Sequence, residues 1–158
     1  MNLYQWLLFL HVTGAFFLIG GVVMAGILHF SALGRQRRPS EIATLYGLVR
    51  FAVPLIYAGL LLTFAFGLWL VHEAQFGYGD GWIVTAIILW VIGSALGSLG
   101  DKSHRETRLV AERLAAEGDV PSPDLRARVF SPLVLASTYA SGLIALAVLG
   151  VMIWKPGA

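Results

Sequence analysis

The sequence predicts an all-α fold, a transmembrane four-helix bundle with both termini on the outer side of the membrane. Three observations lead to this prediction. Of the 158 residues, 58% are hydrophobic and only 13% are charged, whereas a soluble domain is usually about 25% charged. Four long runs contain no Asp, Glu, Lys or Arg. Every Lys and Arg except Lys155 falls in the connections after the first and third runs.

The four runs cover residues 3–30, 51–71, 81–100 and 129–154. Each has the roughly 20 residues that a helix needs to cross the hydrocarbon core of a bilayer. Barrel strands are about half as long, so helices are the expected spanning elements. The first run lacks a basic N-terminal region and a cleavage site and is expected to be a retained span. We therefore expect one integral membrane domain over residues 1–158.

The basic residues predict the orientation. The first connection carries Arg35, Arg37, Arg38 and Arg50, and the third connection is also basic, whereas residues 72–80 contain no Lys or Arg. By the positive-inside rule, the first and third connections lie in the cytoplasm. The basic excess therefore signals topology, and nucleic acid is not an expected partner.

Local signals predict the helix ends. Pro39 and Ser40 predict a helix start with Ser40 as the N-cap, and Pro54 is expected to kink the second helix. Charges spaced four residues apart predict that the third helix continues past Gly100 until Gly118. This extension is interpreted as a solvated helix, and a docking surface for a cytoplasmic partner is the alternative.

Small residues mark expected helix contacts. The third span contains a GxxxG pattern, Gly93 to Gly97, and the fourth span has a face of Ala, Ser and Gly residues. Glycines at this spacing let two helix backbones approach closely. Packing within the bundle and homodimerisation through the third helix are both compatible with the pattern.

The spans also disfavour several kinds of site. Without Cys there are no disulfides and no thiolate ligands. No acid or base lies deep in a span, which argues against a proton pump, an ion-coupled transporter and a Ser/His/Asp hydrolase. A permease for polar substrates is disfavoured because its path would be apolar. The side chains left for chemistry are four histidines.

His11 and His29 lie on one face of the first span, because about five whole helical turns separate them. The residues between them on that face are mostly small, namely Gly14, Ala15, Leu18, Gly21, Val22 and Ala25. Such a stripe leaves room for a flat macrocycle, and an imidazole can supply an axial ligand to haem iron. By topology, the expected sets are His11 with His72 on the outer side and His29 with His104 on the inner side.

A packing role is the alternative for these histidines. Within a span, His11 can hydrogen-bond a neighbouring helix, with Thr63, Thr85 or Trp90 as the expected partners. The other three histidines lie near expected membrane interfaces, where an imidazole costs little and needs no function.

The chain also resembles a known group of bacterial membrane proteins. Its segments Leu10-His11-Val12-Thr13-Gly14-Ala15 and Leu18-Ile19-Gly20-Gly21 resemble the first helix of proteins related to copper resistance protein D, which include HemJ-type protoporphyrinogen oxidases. The basic first connection, Gly67-Leu68-Trp69 and the closing Met152-Ile153-Trp154-Lys155-Pro156-Gly157 are similar too. Over nearly its whole length, the chain is most similar to an uncharacterised family of four-helix integral membrane proteins in that group.

The resemblance implies that His11 ligates haem b, as the first-helix histidine is thought to do in HemJ-type proteins. Those proteins pair it with a Lys in the third span, and residues 81–100 contain no Lys. Copper handling, which the other relative implies, favours Cys and Met ligands, and only Met24 lies mid-membrane here. The resemblance therefore implies a cofactor rather than a particular reaction.

We expect an integral protein of the bacterial cytoplasmic (inner) membrane that binds haem b and serves electron transfer. The candidate haem-binding residues are His11, His72, His29 and His104, with His11 as the iron ligand, and no catalytic residue is singled out. The alternative is a non-catalytic accessory subunit or assembly factor of a larger membrane complex. Expected partners are the lipid bilayer and either a second copy or a larger membrane complex.

Overall fold

The computed structural model describes residues 2–34 and 37–157, which form five α-helices. These are α1 (Leu3–Ala32), α2 (Pro39–Glu73), α3 (Gly81–Ala116), α4 (Pro123–Val129) and α5 (Pro132–Trp154). Within this part of the chain, α1, α2, α3 and the α4–α5 segment are each long and apolar enough to cross a membrane. The predicted all-α architecture with four membrane-spanning segments is confirmed.

The helices run up and down, so the bundle has two distinct ends. The basic end holds the α1–α2 and α3–α4 connections, and the terminal end holds the α2–α3 connection and both chain termini. The orientation of these ends relative to the membrane remains a prediction. Arg35, which contributed to that prediction, lies outside the described residues.

Large apolar side chains cover the outside of the bundle. Phe16 is 74% exposed, Leu61 69% and Leu143 68%. In water, each exposed Å² of apolar surface would cost roughly 25 cal/mol, and a hydrocarbon environment removes this cost. The surface therefore fits a lipid bilayer.

The closest helix pair is α1 with α2, and glycines lie where their backbones meet. A β-carbon at Gly59 would lie 2.7 Å from the carbonyl oxygen of Gly14 and would also contact the backbone nitrogen of Leu18. A β-carbon at Gly14 would lie 2.8 Å from the backbone nitrogen of Thr63. Any larger residue at Gly14 or Gly59 would hold the two helices apart.

The second close pair is α3 with α5, and the GxxxG pattern lies at the contact between these two helices. A β-carbon at Gly93 would meet Ile144 at 2.9 Å, and Gly97 faces Ser141. Of the two roles predicted for this pattern, the structure shows packing within the bundle.

The two clusters of buried hydrophobic side chains lie at the two ends of the bundle. At the basic end, Tyr46 of α2 packs with Leu125 and Val129 of α4, so the short helix closes that end. At the terminal end, Val71 of α2 packs with Trp82 of α3. Between these clusters, a cleft runs between the α1–α2 pair and the α3–α5 pair.

The start of α2 differs from its prediction. The helix begins at Pro39 with Arg38 as the N-cap, so the prediction of Ser40 as the N-cap was wrong. The backbone N–H and the hydroxyl of Ser40 donate to the carboxylate of Asp119, at 2.8 and 2.7 Å. These hydrogen bonds lower the pKa of Asp119. A carboxylate from the distant α3–α4 turn therefore satisfies the first turn of α2, and local sequence carries no signal of it.

A glycine follows the end of α3, and a proline begins α5. The predicted extension of α3 beyond Gly100 is confirmed, and the helix ends at Ala116, just before Gly118 with φ +127°. The fourth apolar run forms one helix from Pro132 to Trp154, and only its first residue, Val129, belongs to α4. Proline lacks the N–H that would continue the preceding turn and is favoured at the first helical position.

Candidate functional site

A cleft of about 540 Å³ separates the α1–α2 pair from the α3–α5 pair. This interhelical cleft runs from Trp82 and Lys155 at the terminal end, past His11, to Asp101 and His104 at the basic end. The rest of its wall is mostly aliphatic and aromatic. Cofactor sites are usually apolar clefts of about 300–1,000 Å³ with a few placed polar groups, and this cleft has those properties.

His11 lines the cleft and is held by a single hydrogen bond across α1 and α2. Its Nδ1 lies 2.9 Å from the backbone carbonyl oxygen of Thr63. Because a carbonyl oxygen only accepts, Nδ1 must carry the proton and donate it. In that tautomer Nε2 keeps its lone pair. No hydrogen bond engages Nε2 within the described part of the chain, so it is available to a ligand.

The hydrogen bond selects one of the partners expected for His11. Thr63 is the partner, through its backbone rather than its hydroxyl. The hydroxyl of Thr85 donates to the carbonyl of Gly81 at 2.7 Å. The indole N–H of Trp90 has no acceptor among the described residues.

Gly67 makes room for the imidazole of His11. A β-carbon at Gly67 would lie 2.9 Å from Cε1 and 3.0 Å from Nδ1 of His11. Gly67 also lies one helical turn beyond Thr63, so the missing side chain opens a direct approach to the Thr63 carbonyl. The position of His11 therefore depends on a glycine in the second span.

The stripe of small residues on α1 serves two purposes. Gly14 and Gly21 pack against α2, where β-carbons would lie 2.6 Å from Leu62 Cβ and 2.7 Å from Ile56 Cγ1 respectively. The other members of the stripe, Ala15, Leu18, Val22 and Ala25, line the interhelical cleft. The room that the sequence predicted for a macrocycle therefore lies only along this second set of residues.

Two aromatic rings face the same cleft. Phe64 of α2 and Trp90 of α3 stack with their ring centroids 4.5 Å apart and their planes at 27°. Phe64 follows Thr63 directly, so this stack lies at a similar depth to His11. The stack is therefore a contact between the two helix pairs across the cleft.

The basic end contains a histidine–tyrosine cluster, made of His29, Tyr46, His104 and Tyr139. The rings of His29 and His104 stack at 5.1 Å, and the ring of Tyr46 stacks on His104 at 5.0 Å. Tyr139 meets His29 edge to face at 6.1 Å. The structure therefore brings together the predicted inner pair, His29 and His104, and adds two tyrosines to it.

Hydrogen bonds fix this cluster. His29 is fully buried, and its Nδ1 lies 2.9 Å from the hydroxyl oxygen of Tyr46. His104 shares a hydrogen bond of 3.3 Å with the hydroxyl of Thr138, and both residues line the basic end of the cleft. Nε2 of His29 is buried without a hydrogen-bond partner among the described residues.

The cluster does not have the arrangement of two axial ligands of one iron. Axial imidazoles point their nitrogen atoms at each other across the macrocycle. The planes of His29 and His104 are instead inclined by only 26° and face each other. In this arrangement the two rings occupy the space where a macrocycle would have to lie.

His72 lies apart from the predicted outer partner, His11. It is exposed at the end of α2 and does not line the cleft. It lies five residues beyond Gly67, which rotates it by about 140° around the helix. The described residues also contain no group of three or more His, Cys, Asp or Glu side chains placed to hold a metal ion. Two of the four imidazoles thus line the cleft, those of His11 and His104, and His104 is stacked on His29 and Tyr46.

Sequence reasoning missed several residues of the site. Tyr46, Thr138 and Tyr139 have no spacing relation to the histidines that they contact. Trp82 also belongs to the site, because it is only 4% exposed and lines the cleft. Its place after a Gly-containing turn signalled a helix start without signalling which way the ring faces.

Comparison with known proteins identifies one family. Residues 5–156 match the model of a family described as predicted integral membrane protein (DUF2269). Neither the curated proteins nor the solved structures contain a match to the chain. The family match covers all five helices except the first two residues of α1 and supports an integral, multi-pass membrane protein.

Proposed function

The chain belongs to the DUF2269 family of predicted integral membrane proteins, and on that premise we propose that it binds haem b in the interhelical cleft and serves electron transfer. The proposed location is the bacterial cytoplasmic membrane. His11 is the proposed axial ligand of the iron.

One observation carries this proposal, the hydrogen bond from Nδ1 of His11 to the carbonyl oxygen of Thr63. Histidines that bind metals almost always donate their other ring N–H to a carbonyl or carboxylate, which fixes the tautomer and the ring orientation. In His11 this leaves Nε2 as the ligating atom, on a ring that lines the cleft.

The residues that line the interhelical cleft fit haem b. A porphyrin supplies four nitrogen ligands itself, so the protein needs only one or two imidazoles, and a cluster of ligands is not required. The cleft has the volume and the apolar wall that a flat hydrophobic cofactor needs. The small residues of α1 that line it, Ala15 and Ala25 among them, keep that wall flat.

Of the four predicted histidines, we propose His11 alone as the ligand of the iron. His72 faces away from the cleft, and His29 stacks on His104 instead of opposing it. The resemblance to HemJ-type proteins points to the same residue, His11. Under the predicted orientation, His11 lies in the outer half of the membrane, so the proposed haem lies nearer the outer surface.

The bound group would supply one-electron redox chemistry, and the chain supplies its binding and its surroundings. His11 would orient the macrocycle, and the stacked rings of Phe64 and Trp90, which line the cleft, would shield it from water. Low polarity and low solvent access around haem are among the properties by which a protein sets its reduction potential.

Titration of haem b into the purified protein in a neutral detergent tests the proposal. We expect saturable binding of one haem per chain, with a shifted Soret band and, on reduction, the sharp visible bands of a ligated b-type haem. Protein purified with the haem that it acquired in the cell should also release close to one haem per chain. Haem that only partitions into the detergent, with no saturation, would refute the proposal.

Replacing Gly67 by alanine is expected to weaken haem binding by about tenfold without unfolding the bundle. The added β-carbon would lie 2.9 Å from Cε1 of His11 and push the imidazole away from the carbonyl of Thr63. Loss of the group that orients a metal-binding histidine typically costs about 10–100-fold in affinity. The measurement is haem titration, with circular dichroism to verify the fold.

The control for this change is Gly47→Ala, on the same helix. A β-carbon at Gly47 would have no neighbour within 4 Å. Haem affinity should be unchanged in this variant. Equal affinity in Gly67→Ala and in the unaltered protein would show that the placement of His11 by Gly67 is irrelevant to haem.

A further inference from the structure

The terminal end of the interhelical cleft contains a buried donor without an acceptor. Trp82 is only 4% exposed, and it lines the cleft. Its indole Nε1 is buried and has no hydrogen-bond partner among the described residues. A buried N–H left without a partner costs about 1–3 kcal/mol, so a ligand that supplies an acceptor there would be stabilised.

A cation stands beside this donor. The ammonium nitrogen of Lys155 lies 5.5 Å from the ring centroid of Trp82 and 4.8 Å from that of Phe76. Phe76 in turn meets Trp82 edge to face at 5.3 Å, and all three residues line the cleft. The two rings hold the ammonium at the mouth of an otherwise apolar cleft by cation–π attraction.

The nearest acidic residue in sequence is already engaged. Asp80 precedes α3 and accepts a hydrogen bond of 3.2 Å from the backbone N–H of Gly77. No salt bridge joins Lys155 to any acid among the described residues. At this end of the cleft, the ammonium of Lys155 therefore lies over the ring that carries the unpartnered N–H.

The depth of these donors can be compared with that of His11 along α2. Gly67 lies beside His11, and Val71, four residues further, packs against Trp82. Four residues of helix correspond to about 6 Å. The donors therefore lie slightly to the terminal side of the imidazole, along the same cleft.

We propose that Trp82 and Lys155 together bind a carboxylate of the amphipathic ligand that fills the cleft. The inference rests on the proposed function, under which this carboxylate is a propionate of haem b. A carboxylate drawn into an apolar cleft needs charge-assisted hydrogen bonds to offset its desolvation, and the ammonium and the indole N–H supply them. They would also orient the macrocycle, with its propionate edge toward the terminal end.

The test compares three probes: haem b, its dimethyl ester, in which both carboxylates are blocked, and metal-free protoporphyrin IX. Each is titrated into the protein in a neutral detergent, by absorbance for the haems and by fluorescence for the metal-free porphyrin. We expect the free diacids to bind about tenfold more tightly than the ester, which corresponds to the loss of one charge-assisted contact.

Two variants locate this preference on the chain. Trp82→Phe keeps the ring and removes the N–H, and Lys155→Gln removes the charge. Each should bring the affinity for the diacid down toward that for the ester, while the absorption bands of the ligated iron persist. The matched controls are Trp154→Phe, at an 81% exposed position, and Lys102→Gln, on the exposed face of α3. Both controls should keep the preference.

The outcomes separate this inference from the proposed function. If haem binds with its ligated spectrum but the ester binds equally well, the carboxylate site is refuted and the haem proposal stands. If protoporphyrin IX binds and loses affinity in Trp82→Phe and Lys155→Gln while haem shows no ligated spectrum, the carboxylate site stands and the proposed function fails. Displacement of the porphyrins by phosphatidylglycerol, together with unchanged porphyrin affinity in both variants, would assign the cleft to a lipid and refute the inference.

Discussion

Replacing Gly59 by alanine is expected to separate α1 from α2 and to lower the free energy of unfolding by about 3 kcal/mol. A β-carbon at this position would lie 2.7 Å from the carbonyl oxygen of Gly14 and would contact the backbone nitrogen of Leu18. Backbone atoms of a packed helix cannot rotate away as a side chain does, so the whole helix must move. Unfolding of the detergent-solubilised protein, followed by circular dichroism, measures the change.

Two other glycines provide controls for Gly59→Ala. A β-carbon at Gly20 on α1 or at Gly47 on α2 would have no neighbour within 4 Å. Because alanine has the higher helix propensity, Gly20→Ala and Gly47→Ala should leave stability unchanged or raise it by up to about 1 kcal/mol. A Gly59→Ala protein as stable as these two would contradict the close crossing of α1 and α2.

The extent of the membrane helices was predictable because it depends on composition alone. Runs free of charge must span the membrane as helices whatever they pack against. Helix ends depend on partners that are distant in sequence. Ser40 was predicted to cap α2, and the structure shows Asp119 accepting its hydrogen bonds instead. Nothing near Ser40 in the sequence indicates that the α3–α4 turn lies beside it.

The depth of the site residues along their helices was predictable, but the direction in which their side chains face was not. Sequence and topology placed His29 and His104 at one end of the bundle, and the structure brings them together there. The same reasoning paired His11 with His72, which the structure leaves apart. Position along a helix follows from counting residues, whereas the direction in which a side chain faces depends on how each helix packs on its neighbours.

The small residues of α1 show why this difference matters for a cofactor. From the sequence they form one stripe that leaves room for a macrocycle. In the structure, Gly14 and Gly21 are used to bring α2 close, while Ala15 and Ala25 line the cleft. Both uses favour small residues at helical spacing, so the sequence pattern cannot distinguish them. The glycine contacts with α2 also hold Thr63 and Gly67 next to His11.

Replacing His11 by alanine is expected to remove the axial ligand and lower haem affinity by more than about a hundredfold. Even the loss of a group that merely orients a ligating histidine costs about 10–100-fold. The hydrogen bond to the carbonyl of Thr63 disappears with the imidazole, but that carbonyl lies in a helix and keeps its backbone partner, so the bundle should remain folded. Haem titration and the spectrum of the reduced protein measure the effect.

The matched control is His72→Ala, because His72 is exposed and lies outside the cleft. Its spectrum and haem affinity should equal those of the unaltered protein. Free imidazole, added to the His11→Ala protein, should enter the vacated space and restore part of the ligated spectrum, which a merely structural role of His11 would not allow. An unchanged Soret band in His11→Ala, or its loss in His72→Ala, would show that the iron ligand is another residue.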